Sequence, residues 1–439
     1  MFRVFSRGGA ALFILFFIAA DLSTSETYWP QWRGPLGTGV SPEAEPPIKW
    51  SESKNIRWKL DIPGMGHSTP IIWGDLVFLT TAVPYGKKVK PVRNKAEGAH
   101  DNLPVEQHHE FITLAVSRKE GRIVWQKTLR KEFPHEGGHN TGSLASNSPA
   151  TDGKHLFAFF GSRGLYCLDL KGELIWQQDL GKLQTRHAHG EGSSPALRGD
   201  SVVINWDHQG DSSVAAFDTA TGEQRWKTAR DEMTSWSSPL IVEHGGKVQV
   251  VVSATGRVRS YDLSTGKVIW ECGGLSRNVV ATPVAGHGMV FAANSYDWQA
   301  LMGIKLAGAK GDITGTENEV WKLRRGTPYV PSPLLYGEWL YFLHHNHGIL
   351  TCVSALTGKA RHRPMRLERL RYIFASPAGA ANRIYLSDRS GNTVVVSHAA
   401  KPELLAENHL DDAFSASPAM AGKELYLRGE KYLYCIAEK

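Results

Sequence analysis

Residues 216–226 read AFDTATGEQRW and residues 260–270 read SYDLSTGKVIW. The two stretches share one plan: an apolar strand end, an Asp, a Thr-Gly turn, and a Trp four residues after the Gly. Each part has a physical reason. Asp218 and Asp262 can accept backbone N–H bonds of a tight turn, and Gly222 and Gly266 can take the positive φ such a turn needs. The Trp then covers a large apolar area, about 150–250 Å². On an outer strand its use is to dock against a neighbouring unit. The plan recurs at Gly121/Trp125 and Gly172/Trp176, and Trp321 continues it without the Gly. In the next two repeats His362 and Leu405 stand in for Trp, which predicts weaker docking there.

A second repeat fixes the count. Ser/Thr-Pro occurs at Pro70, Pro149, Pro195, Pro239, Pro283, Pro333, Pro377 and Pro418, with gaps of 79, 46, 44, 44, 50, 44 and 41 residues. A four-stranded propeller blade takes roughly 40–45 residues. The first gap holds one insertion, at residues 81–109. After each Pro come short runs rich in Val, Ile, Leu, Phe and Tyr, such as Val202–Asn205 and Val258–Leu263, bounded by polar turns. No stretch of about ten residues keeps a helical period. The fold class is therefore all-β: an eight-bladed β-propeller of four-stranded blades. The eighth repeat ends at the C-terminus without an outer strand. Residues 56–60, with Trp58, lie at the right interval before Pro70 to supply it. The predicted docking series is thus Trp58, Trp125, Trp176, Trp226, Trp270 and Trp321. Closing the ring this way removes exposed sheet edges.

The remaining composition sets the context. The chain has 439 residues, long for one core, but repeat units pack only on their neighbours. Its charge of +7 is scattered, apart from Lys87–Arg93 and Arg361–Arg371. That pattern argues against a nucleic-acid partner, which wants one concentrated basic face. The basic stretch 87–95 reads as a solvated loop or a contact for an acidic partner. Residues 1–25 read as a Sec-type signal peptide: Arg3 and Arg7, an apolar run from Ala10 to Ala20, and small residues at Ser23 and Ser25. Cleavage would leave a soluble periplasmic or secreted chain with no transmembrane segment, expected as a monomer. Residues 26–55 would form an extended segment lying across the propeller, with Trp29 and Trp32 docked, before the propeller of residues 56–439. Cys167, Cys352 and Cys435 sit at matching places in different repeats, too far apart for disulfides, so buried free thiols are expected. No Cys/His zinc spacing is present.

The Asp-x-x-Thr-Gly-x-x-x-Trp pattern resembles the tryptophan-docking motif of the PQQ-like (pyrroloquinoline quinone) β-propeller family. The likeness spans essentially residues 56–439. It implies the fold and leaves the function open, because quinoprotein alcohol dehydrogenases and the scaffold lipoprotein of the outer-membrane β-barrel assembly machine share the motif. The leader at residues 29–35, WPQWRGP, and residues 205–211, NWDHQGD, resemble exported bacterial members with no assigned activity. Departures matter too. The dehydrogenases carry adjacent cysteines over their cofactor, and no two Cys are adjacent here. The scaffold protein carries a lipidation Cys, and this sequence has none near the cleavage region.

In a propeller the loops between blades, and between the two middle strands, open on one face around the central channel, and loops there carry function. Here they gather His67, His187, His189, Glu191, Asp207, His208, Trp236, Arg277, Trp298, Tyr329, His345, His347 and Arg389. The insertion adds His108 and His109. Three readings follow. His187, His189, Glu191, Asp207 and His208 have donor types that suit a divalent metal. A flat cofactor such as PQQ could stack on Trp236, with Arg side chains on its carboxylates. The face could instead recognise an envelope protein or a glycan through Trp, Tyr and Arg anchors. His67 beside Ser68 does not make a catalytic triad. The leading expectation is a binding or scaffold module; a quinoprotein-like or metal-dependent oxidoreductase is the alternative.

Overall fold

The computed structural model describes residues 28–92 and 96–438. The signal-peptide reading of residues 1–25 lies outside them, as does part of the basic stretch 87–95. The described chain forms eight sheets in a ring, antiparallel throughout except where Gly311–Asp312 pairs parallel to the edge of one of them. Blade 1 spans residues 71–132, blade 2 150–178, blade 3 196–229, blade 4 240–273, blade 5 284–323, blade 6 334–366 and blade 7 378–409. Blade 8 joins residues 419–436 to the strand Ile56–Asp61. In that blade Trp58 lies opposite Cys435, so the chain ends close the ring as the repeat spacing predicts. Among the described residues, helix is confined to two three-residue turns.

The Ser/Thr-Pro repeat builds a belt around the channel. Apart from Thr69, each Ser or Thr hydroxyl accepts the backbone N–H of its counterpart in the preceding blade. The bonds run from Thr69 to Ser148, Ser194, Ser238, Thr282, Ser332, Ser376 and Ser417, at 2.8–3.1 Å. A residue before Pro is biased to extended backbone, which aims each hydroxyl at its neighbour. At the seam between blades 8 and 1, Arg428 takes over: its guanidinium donates to Ser68 Oγ and, at 2.7 Å, to the Thr80 carbonyl.

The indoles hold the rim. Trp176 lies opposite Cys167 next to a β-bulge, and its Nε1 donates to the Thr219 carbonyl of blade 3 at 3.0 Å. A Cβ at Gly222, which has φ of +74°, would overlap that indole, so the turn Gly is required twice over. Trp58, Trp125, Trp226 and Trp321 bond in the same way to Arg118, Leu170, Leu263 and Ala355 of the next blade. Trp270 is buried in a cluster with Val290, Ala292 and Met302 of blade 5, and only its hydrogen bond differs from the others. Its Nε1 donates to Gln249 of its own blade at 3.0 Å. The cause is a longer loop in blade 5, where Gly311–Asp312 pairs alongside the outer strand of blade 4; Leu306 and Ile313 of that loop join the cluster around Trp270.

The two substituted repeats also differ from expectation. In blade 7 the buried position at the recurrent bulge, opposite Val395, is Ala406; Leu405 is exposed. In blade 6 the outer strand shrinks to Met365–Arg366, and His362 lies outside it, exposed. The four cysteines are free and buried, and burial lifts each thiol to about 12.

The N-terminal segment crosses the propeller on the face away from the interblade loops. Trp29, fully buried, exchanges backbone bonds with Ile72 at 2.9 Å. Arg33 enters the channel from below and donates to the carbonyls of Pro377 (2.8 Å) and Pro333 (2.7 Å). Burial lowers its guanidinium pKa to about 9. Further along, Trp50 stacks on Tyr385 of blade 7, with centroids 6.4 Å apart and 16° between planes.

Candidate functional site

Above the belt the channel widens into a cup of about 450 Å³, within the range of small-molecule pockets. The loop starts fixed by the belt set its wall. Its floor is Trp32, whose Nε1 donates to Thr282 Oγ1 at 3.2 Å. Trp236, Tyr296, Tyr329 and Phe374 bring aromatic surface to it. Trp236 is held by its Nε1 bond to the Gly190 carbonyl at 2.7 Å. Tyr329 packs between Tyr296 (6.0 Å) and His345 (4.8 Å), and burial raises its phenol to about 12.

Among the described residues no Lys or Arg lines the cup, and Glu191 is its one carboxylate. That carboxylate is occupied by Arg163 at 2.9 Å and Ser162 at 2.6 Å. His67 is pushed down to about 3, first by burial and then by the charges of Arg428 and Arg389. His189 falls to about 4, from burial and from neighbouring imidazoles. These rings are therefore neutral near pH 7. Two buried polar atoms of the wall have no partner: His67 Nε2 and Asn278 Oδ1. Such atoms are free to bond a water, an ion or a ligand.

One side of the rim is roofed by the blade 1 insertion. The strands Leu76–Tyr85 and His108–Ser117 run longer than the sequence suggests, so His108 and His109 belong to the sheet rather than to the cup. Beyond them, Asn102 Nδ2 donates to the carbonyls of His187 (2.9 Å) and Ala188 (2.8 Å). His100 then packs on His187 and His189, with centroids 4.9 and 4.8 Å away, and His139 packs on His189 at 4.7 Å.

The structure divides the residues singled out from sequence. His67, His189, Glu191, Trp236 and Tyr329 line the cup together. His187 sits under the insertion, and His345 stands behind Tyr329. Arg389 bridges blades, bonding Thr141, Ser415 and Glu430. Arg277 is exposed and paired with Asp297, Trp298 is half exposed on the rim, and His347 is exposed beyond His345.

The five donors proposed for a metal do not converge. Asp207 is fully buried against Arg230 at 2.7 and 3.0 Å and accepts from Ser235 at 2.6 Å. His208 Nδ1 accepts the backbone N–H groups of Gln184 and Gly210. Glu191 is spent on Arg163 and Ser162. Among the described residues no group of three or more His, Cys, Asp or Glu is placed to hold a metal ion. The cation of the described residues nearest the lining on its Phe374 side, Arg389, 5.6 Å from that ring, is already bonded to Thr141, Ser415 and Glu430. Ser68, beside His67, is buried and bonded to Thr80 and Arg428, so no hydroxyl nucleophile is assembled there. Sequence reasoning missed His100, His139, Asn278 and Trp32. The leader motif around Trp32 was visible, but its entry into the channel was not.

The sequence matches the family described as outer membrane protein assembly factor BamB over residues 110–363 and again over 210–439. No curated protein matches the sequence. Among solved structures, BamB from Moraxella catarrhalis is 15% identical with a TM-score of 0.51, covering 80% of this chain and 99% of its own. A europium-containing methanol dehydrogenase is 10% identical with a TM-score of 0.62, covering 91% and 89%. A quinohemoprotein alcohol dehydrogenase from Pseudomonas putida HK5 is 12% identical with a TM-score of 0.53, covering 94% and 76%. At these identities the likeness is one of fold.

Proposed function

This chain belongs to the BamB-like family of PQQ-repeat β-propellers, and from that premise we propose that it is a non-catalytic binding module of the cell envelope whose channel cup holds a neutral, polyhydroxylated ligand such as the end of a glycan. The observation that carries this reading is the cup's lining: aromatic faces, neutral hydrogen-bonding groups and a carboxylate, Glu191, already paired with Arg163, with no Lys or Arg among the described residues. The C–H face of a sugar ring packs on Trp or Tyr as other apolar surfaces do. Its hydroxyls both donate and accept, so they can satisfy Asn278 Oδ1 and either tautomer of neutral His67. A family that includes an assembly factor supports a binding role in the envelope. So does the signal-like leader.

A second reading is a quinoprotein-like or metal-dependent oxidoreductase. The overlay with a europium-containing methanol dehydrogenase and the indoles of Trp32 and Trp236 favour it. The lack of a lining Lys or Arg among the described residues, the scattered metal donors and the separated cysteines speak for the binding module.

One series of measurements decides. Elemental analysis of purified residues 26–439 comes first, then calorimetric titration with PQQ, with and without calcium, and a screen against neutral and charged glycans. The expected result is saturable binding of a neutral glycan and none of PQQ. Tight PQQ binding or a stoichiometric metal would overturn the binding-module reading. Preference for charged over neutral glycans would overturn the assignment of the cup.

A further inference from the structure

The rim of the propeller repeats a slot as well as a side chain. In blades 1, 2, 5 and 8 an outer-strand indole lies beside an aromatic ring of its own second strand: Phe78–Trp125, Phe157–Trp176, Phe291–Trp321 and Tyr426–Trp58, at 5.8–6.1 Å. Blades 6 and 7 keep the second-strand aromatic, Tyr341 and Tyr385, without the indole. Blade 7 is repaired from outside. Ala406 leaves room, and Trp50 of the N-terminal segment stacks on Tyr385, anchored by its backbone N–H to Asn408 Oδ1 at 2.8 Å. The protein itself thus shows that this slot accepts an indole delivered by a separate stretch of chain.

In blade 6 no indole is supplied among the described residues; the Tyr341 hydroxyl donates instead to the Ala399 carbonyl at 2.8 Å, and His398 packs on its ring at 5.7 Å. A cavity of about 390 Å³ opens between Leu350, Cys352 and Met365 of blade 6 and Ala400–Pro402 of blade 7. Cys352 matches Cys167 and Cys435, which lie opposite Trp176 and Trp58. The cavity is therefore the vacant indole slot of the seam between blades 6 and 7. Its floor is apolar and includes Met365, a side chain that adapts to varied shapes. Its rim is cationic: Arg363 and Lys401 line it and are exposed, and neither forms an ion pair among the described residues.

We propose that this slot is a docking site for a partner protein, which inserts an aromatic side chain carried on an acidic, extended segment. Aromatic anchors in desolvated pockets dominate protein interfaces, and the unpaired cations select acidic flanks. The chain's own charge of +7 argues against a second copy as the occupant. The proposal does not depend on the cup, which lies on the channel axis rather than at the rim.

The test uses the hexapeptide Asp-Asp-Glu-Trp-Glu-Asp, capped at both ends, and its Ala-for-Trp counterpart, titrated calorimetrically into the full mature chain. The Trp peptide is expected to bind at least about tenfold tighter than the Ala peptide, and less tightly as salt rises. His362→Trp should place the protein's own indole in the slot and weaken the Trp peptide at least about tenfold. Arg363→Glu, at an exposed position that leaves the fold intact, should do the same by charge. Equal binding of the two peptides, or full affinity in both variants, would overturn the proposal. So would no binding at millimolar peptide. A dimer seen by sedimentation and dissolved by His362→Trp would make a second copy the occupant and overturn it as well.

Discussion

The backbone N–H of Ser194 donates to Ser238 Oγ at 2.8 Å, and the same bond recurs from blade to blade around the channel. Both groups are buried. Ser238→Ala leaves the Ser194 N–H without an acceptor, which costs about 1–3 kcal/mol. Ser238→Thr should be close to neutral, because Thr282 makes the equivalent bond in blade 5. Urea unfolding of the two variants checks this. A cost for Ala no larger than that for Thr would mean that the belt contributes no stability.

Trp50 serves blade 7 as Trp176 serves blade 2, although it comes from a segment outside the repeats. Trp50→Ala should therefore destabilise by about 3–5 kcal/mol, as other buried Trp truncations do. Trp298→Ala, half exposed on the rim, should stay within about 0.5 kcal/mol of the parent. Thermal denaturation of both variants gives the comparison. Equal small effects would show that the N-terminal segment lies on the propeller without holding it.

These devices were legible in sequence to different degrees. The belt and the Thr-Gly-x-x-x-Trp turn are local, and each repeats at blade spacing, so eight blades and the closure through Trp58 could be read directly. Where the repeat degenerates, position was lost. Leu405 looked like the Trp equivalent by count, but the bulge opposite Val395 turns it outward and turns Ala406 in. The cup was harder still. His187 and His189 sit near Asp207 and His208 in chain order, yet Asp207 faces Arg230 and Glu191 faces Arg163. Nothing local announces those cations. The contact of His100 with His189, and the rise of Trp32 to Thr282 across 250 residues, are purely tertiary.

His67 predicts an acid limb. Its imidazole is pushed down to about 3 in the folded protein, against about 6.5 in the unfolded chain. Between these values the unfolded state binds the extra proton. The favourable contribution of neutral His67 is therefore complete above pH 6.5 and lost progressively as pH falls toward 3. His189, lowered to about 4, acts in the same direction between 6.5 and 4. His67→Asn removes the larger part. Wild type should lose about 2 kcal/mol more stability than His67→Asn between pH 7 and pH 5. Parallel pH profiles for the two proteins would mean that His67 takes up its proton as readily in the folded state as in the unfolded one.

Trp236 distinguishes a binding surface from mere packing in the cup. Its ring faces the cavity while its Nε1 ties down the Gly190 carbonyl, so one side chain serves both ligand and loop. Trp236→Phe keeps an aromatic face and loses the tie; Trp236→Ala loses both. If the face stacks on a sugar ring, Phe should retain most of the affinity for the neutral glycan found in the screen, and Ala should lose at least about tenfold, or 1.4 kcal/mol. If the indole only props the loop, the two variants lose the tie equally and should weaken binding to the same extent. Asn278→Leu supplies the polar counterpart. It removes the unpartnered Oδ1, so it should cost affinity for a ligand hydroxyl; it also places Leu at a φ of +55° and removes the Asn278–Tyr329 bond, so it should cost stability by about 1–2 kcal/mol as well. Loss of affinity in Trp236→Ala and Asn278→Leu, with Trp236→Phe retained, places the sugar between the indole and the amide. Full affinity in all three places the binding site outside the cup.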